Sequence, residues 1–557
     1  MLTLITFFIF LSLRINVISV NIFTRGRLSM ENNQSENYDV ICIGSGMGSL
    51  TTASFLAQYS NKKVLIIEKH FQAGGYTHSF ARKQGKYHWD VGIHYIGDMQ
   101  EGGFCRQLMD KVSNKNVQWK QMPEPFEKFI FPTRTFSLYG DEGKFKSDLI
   151  EQFPSEKESI EKYFEDIRKV SAVFGKSMMI KFSTPGLKAM TAPLKDDSII
   201  TLKDYMDKSF QDEELKAILC SQWGDYGLPP SKTSFATHAA LVVHYLKGGF
   251  YPIGGAGKIF DSIEPIVKSK GGDVLTSTEV TEILIRDGKA VGVKTKRLRG
   301  EKEEKEYYAP IIVSGTGAMI TYTRLIPESV PIDFREKLKN FYSREKMATS
   351  VCVYVGLSDS PAKLGFKGEN HWIFGSYDHD KNFGERNEWL KEGVEVQNLY
   401  VSFPSLKDPE AKNHTADFIA FTDYENFARW KDLPWKKRGE EYQKFKDLIA
   451  EKVVSAIDKR YPGFRGIIDY IEVSTPITNE HFTSHVDGAI YGLACTPERY
   501  EKESCPWFEA KTPIPGLFLT GADAGGSPGI AGALMGGLAA TLNIEGNREI
   551  LKKILKD

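Results

Sequence analysis

Tyr38-Asp39-Val40-Ile41-Cys42-Ile43-Gly44-Ser45-Gly46-Met47-Gly48-Ser49, followed fourteen residues later by Lys63-Val64-Leu65-Ile66-Ile67-Glu68, is the stretch on which the reading of this chain turns. The first run is short, apolar and rich in β-branched residues, and it breaks into glycines. Leu50, Ala53 and Ala57 then recur at helical spacing before the second apolar run. The unit is therefore β-α-β, with an acid at the tip of its second strand. Each part suits a dinucleotide. Gly44 permits the tight turn, Gly46 lets the backbone approach a pyrophosphate, and the helix N-terminus offers unpaired N–H groups to the phosphates, Ser45 among them. Glu68 stands where a ribose would donate to it. Ser49 replaces the third glycine of the usual fingerprint, with Gly48 one place earlier; serine is small enough to keep helix and strand close.

The chain ends on a second unit of the same kind. Pro515-Gly516-Leu517-Phe518-Leu519-Thr520-Gly521-Ala522-Asp523 leads through Gly525-Gly526-Ser527-Pro528 into Gly529-Ile530-Ala531-Gly532-Ala533-Leu534. It reads as strand, glycine turn and helix, with a carboxylate in the turn able to reach a polyhydroxyl chain. A helix cap with small-residue packing accounts for either half alone, but poorly for both halves in one chain. Between them, Pro310-Ile311-Ile312-Val313-Ser314-Gly315 looks like a buried parallel strand returning to the first sheet. Thr281 to Arg286 and Ala290 to Thr295, joined by Asp287-Gly288, form a hairpin signal.

The chain has 557 residues, 41% hydrophobic and 26% charged, which suits several domains of ordinary globular composition. Its 72 basic and 72 acidic side chains cancel, so nothing favours a nucleic-acid partner. The six cysteines show no CxxC pair and no histidine at ligand spacing, against a disulfide framework or a zinc site. Leu2 to Leu13 and Ile15 to Val20 are apolar but interrupted at Arg14, too short and broken for a clear membrane span. Three readings of residues 1–37 stand side by side: a targeting sequence to the secretory pathway or endoplasmic reticulum, a membrane anchor, or a start at Met30 with a cytoplasmic product.

Beyond Glu68 and Lys69, the loop Gly74-Gly75-Tyr76-Thr77 lets the backbone pass close to something flat or charged. His88 to Gly97 alternates like a strand that ends in a glycine turn. From Pro123 to Ile200 the pattern turns helical (Ile160, Tyr163, Phe164, Ile167, Val170, Phe174), with Met178, Met179, Leu187 and Met190 in a softer apolar stretch; a packed helical subdomain is favoured over a membrane-touching face. Trp223 to Pro230 is a rigid aromatic loop leading into a helix with His238 and His244. Residues from about 335 to 500 alternate strands with polar loops and one long charged helix, Lys436 to Asp458.

With those residues in view, the chain resembles the FAD-dependent family of phytoene desaturases, carotenoid isomerases and retinol saturases, and most closely its all-trans-retinol 13,14-reductase branch. The resemblance runs from Tyr38 to the C-terminus. Its specific pieces are Glu68 to Ser79, Trp89 to Gly97, Gln222 to Pro230 and Gly521 to Gly532. It implies an α/β fold: a Rossmann-like FAD-binding domain of the amine oxidase and phytoene desaturase type, interrupted by an α+β substrate domain. The expected division is FAD-binding segments at 38–122, 251–330 and 506–557, a helical substrate or cap region at 123–250, and a substrate domain at 331–505. It further implies that the FAD diphosphate lies over Gly44 to Ser49, the adenosine ribose meets Glu68, and the ribityl chain meets Asp523. Val280 would hold the adenine by backbone contacts, Gly74 to Thr77 would pass beside the flavin, and the helix from Gly529 and Ile530 would point at its ring.

The resemblance implies an oxidoreductase acting on carbon–carbon double bonds of a retinoid, carotenoid or polyunsaturated lipid, with peripheral membrane contact and NAD(P)H as a candidate electron donor. Reduced flavin in a dry apolar tunnel would add hydride to one carbon of a conjugated polyene while an acid protonates its neighbour. His94, Tyr95, Asp225 and Tyr226, in polar islands between apolar segments, are the candidates for handling that proton. The alternatives are a carotenoid or fatty-acid isomerase or desaturase using the same site, and a flavin-free lipid carrier like the prenyl-binding GDP-dissociation inhibitors. Glu68 and Asp523 argue against the carrier, which has no use for ribose and ribityl partners.

Overall fold

Val40–Ile43 and Val64–Ile67 are buried along their whole length and pair in parallel, Val40 opposite Val64 and Ile43 opposite Ile67. A computed structural model describes residues 38–180, 199–347, 349–501, 505–546 and 548–555 of the chain. The N-terminal apolar stretch, Leu187 and Met190 lie outside those residues, as do the side chains of Met178 and Met179.

Ile311–Ser314 joins the free edge of the first strand, Leu517–Leu519 lies beyond it, and Asp273–Leu275 flanks the other side. The result is a five-stranded parallel sheet assembled from three separate parts of the sequence, as the strand at Pro310 to Gly315 led one to expect. Near-continuous apolar strands are what a sheet covered on both faces requires. The helix Met47–Ser60 is buried on all sides from Met47 to Ala57, so it shows little amphipathic pattern. It ends at Asn61, which takes the left-handed conformation that closes a helix.

The expected hairpin is present as Thr278–Arg286 and Lys289–Arg297, turning at Asp287 (φ 50°) and Gly288 (φ 72°), both in the left-handed region that a two-residue turn demands. A third strand, Glu304–Tyr308, extends it antiparallel. Its run of charged residues has no strand signature in isolation. The strand expected over His88 to Gly97 stops at Asp90, pairing as Tyr87–Asp90 with Ser79–Arg82. Past it the chain runs irregularly, because the Asp90 carboxylate is engaged by Ser79 Oγ (2.5 Å), the Ala256 amide (2.9 Å) and the Tyr251 hydroxyl.

The second large sheet has seven strands, in the order Ile468–Ser474, Thr349–Leu357, His414–Thr422, Leu399–Ser402, Asn370–Ile373, Glu127–Ile130, Thr135–Leu138. The last two come from the stretch read as helical. Helices do fill most of it (Glu142–Gln152, Lys157–Ile180, Leu202–Ser209, Glu213–Cys220, Phe235–Tyr245), but four-residue strands are too short to show an alternation of their own. The long charged helix runs Gly439–Arg460, three residues later than expected, since Lys436 (φ 63°) leaves the helical region. It packs on the seven-stranded sheet over a separate apolar cluster that includes Val353, Phe418, Ile449 and Val453. All six cysteines are buried and form no disulfide among the described residues, and no helix among those residues is long and apolar enough to cross a membrane.

Candidate dinucleotide site and a buried acid cluster

At the carboxyl ends of the parallel strands, backbone amides step from one strand to the next. Gly44 donates to Ile67 O, Gly315 to Ile43 O and Thr520 to Ser314 O, at 2.8 to 2.9 Å. In an open parallel sheet this edge is where ligands bind.

Glu68 ties the edge together. Its Oε2 accepts from the Ser45 amide (2.8 Å) and hydroxyl (2.6 Å), and its Oε1 from the His70 amide (2.7 Å). Ser45 Oγ in turn accepts from the Gly74 amide at 2.8 Å. Burial pushes the Glu68 carboxyl up, opposed by those hydrogen bonds and by Lys69. A carboxylate has about four acceptor positions, so three donors leave room for one from a ligand.

The two halves of the chain meet here. A Cβ on Gly48 would stand 2.3 Å from the Gly521 amide nitrogen, and one on Gly75 would stand 2.7 Å from Gly46 Cα. Thr52 Oγ1 lies 3.2 Å from Thr520 Oγ1 and 3.2 Å from Gly537 O. Ser49 is turned to the neighbouring strand, its hydroxyl where a Gly315 Cβ would be. Gly48 thus makes the closest approach, and the serine is accommodated because Gly315 has no side chain. Among the described residues, Gly46, Gly521 and Gly529 have nothing within 4 Å of a Cβ position. These three border open space, as a cradle for a flat or anionic group requires.

Asp523, 5% exposed, is held on both oxygens: Oδ2 by the Ala318 amide and Oδ1 by the Leu493 amide, each at 2.8 Å. Arg499, 2% exposed, sets the backbone beneath it, donating to Leu493 O (2.7 Å), Ala522 O (2.9 Å) and Asp523 O (3.3 Å). Arg499 sits in a charged run whose local sequence does not mark it as buried.

Gly44, Ser45, Gly46, Glu68, Lys69, Gly75, Tyr76 and Val280 line one cavity of about 360 Å³. Thr316 and Arg324, announced by no motif, line it too. Lys69 is fixed at its rim by Ser484 Oγ (2.7 Å) and Glu279 (3.5 Å). Gly48, Ser49, Gly74, Thr77, Gly521, Asp523, Gly529 and Ile530 lie outside that lining. Gly74 and Thr77 shape the loop, Thr77 Oγ1 donating to Gly74 O at 2.6 Å. A larger cavity, about 1530 Å³, adjoins the first and shares His70, Gln72, Gly75, Tyr76 and His78 with it.

The proton-handling candidates divide. Tyr95 stacks on Tyr245 (4.6 Å) and donates to Asp225 Oδ2 at 2.6 Å. Beside them lies Glu127, unread from sequence, which accepts from Gln222 Nε2 (2.8 Å) and Trp372 Nε1 (2.9 Å). Burial pushes the carboxyls of both Glu127 and Asp225 well up, and the proximity of Glu127 raises Asp225 further. His94 Nδ1 stands 3.4 Å from Asp417 Oδ2, while the His94 carbonyl accepts from Lys407 Nζ at 2.8 Å. Lys407 is also bound to Asn370 Oδ1 (2.5 Å) and Ser402 Oγ (2.8 Å), and burial pushes its ammonium down to about 7. Tyr226 belongs elsewhere: its hydroxyl lies 3.4 Å from His238 Nδ1, whose other nitrogen meets Tyr163 OH at 2.9 Å. Asp417 alone carried a signal, a single charge inside the apolar run Thr415-Ala416-Asp417-Phe418-Ile419.

Residues 42–112 match the model of the NAD(P)-binding Rossmann-like domain. The chain is 32% identical over 524 residues to an all-trans-retinol 13,14-reductase of Danio rerio, covering 90% of this chain and 85% of that one. It is 24% identical over 553 residues to a chloroplastic prolycopene isomerase of an Oncidium hybrid cultivar, covering 94% and 87%. Among solved structures, wild-type putrescine oxidase bound to putrescine superposes with a TM-score of 0.58 at 14% identity, over 92% of this chain and 99% of that one. That likeness shows the fold, an amine-oxidase-type α/β architecture.

Proposed function

The chain belongs to the all-trans-retinol 13,14-reductase family, and on that premise we propose that it is an FAD-dependent oxidoreductase reducing a carbon–carbon double bond of a long conjugated or polyunsaturated apolar substrate. The observation that carries this reading is the closure of the Gly48 turn on Gly521, which makes one cradle from segments at opposite ends of the sequence. The residues fit the cofactor. Gly46 borders open space where a diphosphate would pass, Glu68 keeps one acceptor position for a ribose, and Gly521 and Gly529 leave room on the side of Asp523.

Reduced FAD, when bound, supplies a hydride to one carbon of the double bond. The chain's own part is to hold the cofactor, exclude water and deliver a proton to the neighbouring carbon. We assign the proton to Tyr95 Oη, hydrogen-bonded to Asp225, with Glu127 as the second carboxyl of the reservoir. Two carboxyls buried side by side resist ionising together, so a proton is retained there at neutral pH. His94 packs its ring edge-on against Tyr400 (5.4 Å). NAD(P)H is the proposed source of reducing equivalents.

The relatedness to prolycopene isomerases supports a second reading, a redox-neutral isomerase at the same site. One experiment separates them. Purified protein is examined for flavin absorbance, then reduced anaerobically and incubated with all-trans-retinol. A product heavier by two hydrogens is the result expected. Unchanged mass with altered retention supports the isomerase, and protein without flavin overturns both.

A further inference from the structure

Two parts of the wall of the cavity of about 1530 Å³ beside the cradle differ in chemistry. Phe80, Tyr354, Val454, Ile468 and Val473 give it an apolar side, suited to a hydrocarbon chain. Trp435, Lys436, Lys437 and Arg438 give it a cationic one.

Arg438 is the informative residue. It is 7% exposed, donates from Nη2 to Ile477 O (3.0 Å) and stands 5.4 Å from the Tyr442 ring, yet its Nε has no hydrogen-bond partner among the described residues. Among the described residues no carboxylate lies within ion-pair distance of it. The acids on the same cavity are engaged elsewhere: Glu472 with Arg82, Glu451 with Arg465, Asp447 with Gln443. A buried guanidinium is stable only when its charge is answered, and its fork matches a carboxylate or phosphate. The positive field extends to His481, pushed down to about 4 by burial, Lys69 and Arg438.

We propose that this cavity receives an amphiphile with an acidic head, a polyene or polyunsaturated chain ending in a carboxylate. The head sits on Arg438 with Lys436 and Lys437 nearby, and the chain lies along the apolar wall toward the Gly75–Tyr76 loop that the cavity shares with the cradle. A nicotinamide dinucleotide is also anionic; the apolar Phe80, Tyr354, Val454, Ile468 and Val473 favour a hydrocarbon chain over its sugars, and NADPH is measured beside the retinoids as the alternative occupant. The inference rests on the reading of the protein as a polyene-reducing enzyme and names the substrate's end group.

The test measures binding of all-trans-retinoate, all-trans-retinol and NADPH to the purified flavin-loaded chain by calorimetry, for the wild type, Arg438→Gln and Arg438→Lys. Thermal melting establishes that each variant is folded, and the lysine variant keeps the charge if glutamine disturbs the Ile477 contact. Retinoate is expected to bind about tenfold or more tightly than retinol, the gain of a charge-assisted pair. That ratio should fall toward one in Arg438→Gln and be partly kept in Arg438→Lys. Equal affinity of the wild type for acid and alcohol overturns the inference while leaving the polyene reading intact. So does a ratio untouched by Arg438→Gln, or a variant that loses NADPH and keeps retinoate. If neither retinoid binds, the inference falls together with a retinoid as the substrate.

Discussion

Gly48 and Gly521 are in backbone contact so close that a methyl on Gly48 would stand 2.3 Å from the Gly521 nitrogen, although 473 positions separate them in the chain. Gly48→Ala therefore has to push the first helix away from the last strand. It is expected to cost about 2 kcal/mol or more of stability and to abolish flavin retention. Gly46→Ala, two residues away, meets nothing within 4 Å and adopts an ordinary extended conformation. It should fold within about 1 kcal/mol of the wild type, yet bind FAD more weakly because the methyl enters the cradle. Denaturant midpoints and flavin-to-protein ratios of the two variants check the contrast.

Glu68→Gln keeps the shape of the side chain but loses charge-assisted acceptance from Ser45 and His70. We expect a loss of about 1–3 kcal/mol and weaker FAD binding, since the same carboxylate organises the turn and has one acceptor position left for the ribose. Fluorescence titration of the apoprotein with FAD is the measurement.

Tyr95→Phe removes the hydroxyl that donates to Asp225. With the flavin spectrum unchanged, kcat for reduction should fall about 100-fold, the low end of what a positioned acid contributes. Tyr226→Phe removes the hydroxyl that faces His238 and should leave turnover within about twofold of wild type. Equal losses in the two variants would remove Tyr95 from the proton path.

Glu127 gives a pH signature. Its carboxyl is raised from 4.5 to about 7 in the folded protein, chiefly by burial. The folded state therefore holds the proton more tightly than the unfolded chain does. The stability this confers is fully present below the unfolded pKa and is lost as pH rises from about 4.5 to about 7. In Glu127→Gln that part of the pH–stability curve should flatten. Urea denaturation across pH 4 to 8 reads it directly.

The β-α-β unit at Tyr38 to Glu68, the returning strand at Ile311, the Asp287-Gly288 hairpin and the terminal strand–turn–helix were all legible in the chain. Each is specified locally, by apolar runs, by turns that need left-handed residues, or by an acid at a fixed distance. The same locality explains what was misread. Glu127–Ile130 shows no periodicity in four residues, and it becomes a strand because Asn370–Ile373 offers it a parallel partner. Asp225 and Tyr95 were picked out as polar islands, but nothing in their neighbourhoods distinguished them from Tyr226.

The sequence by itself determined the class of fold and the dinucleotide turn, since both follow from residues within about thirty positions of one another. Only the tertiary structure decided that Glu127 joins Asp225, that Arg499 underpins Asp523, and that Arg438 is buried with no counter-charge among the described residues. Those are properties of environment: a carboxyl or guanidinium acquires them from segments folded around it, and its own stretch of chain carries no record of which segments those are.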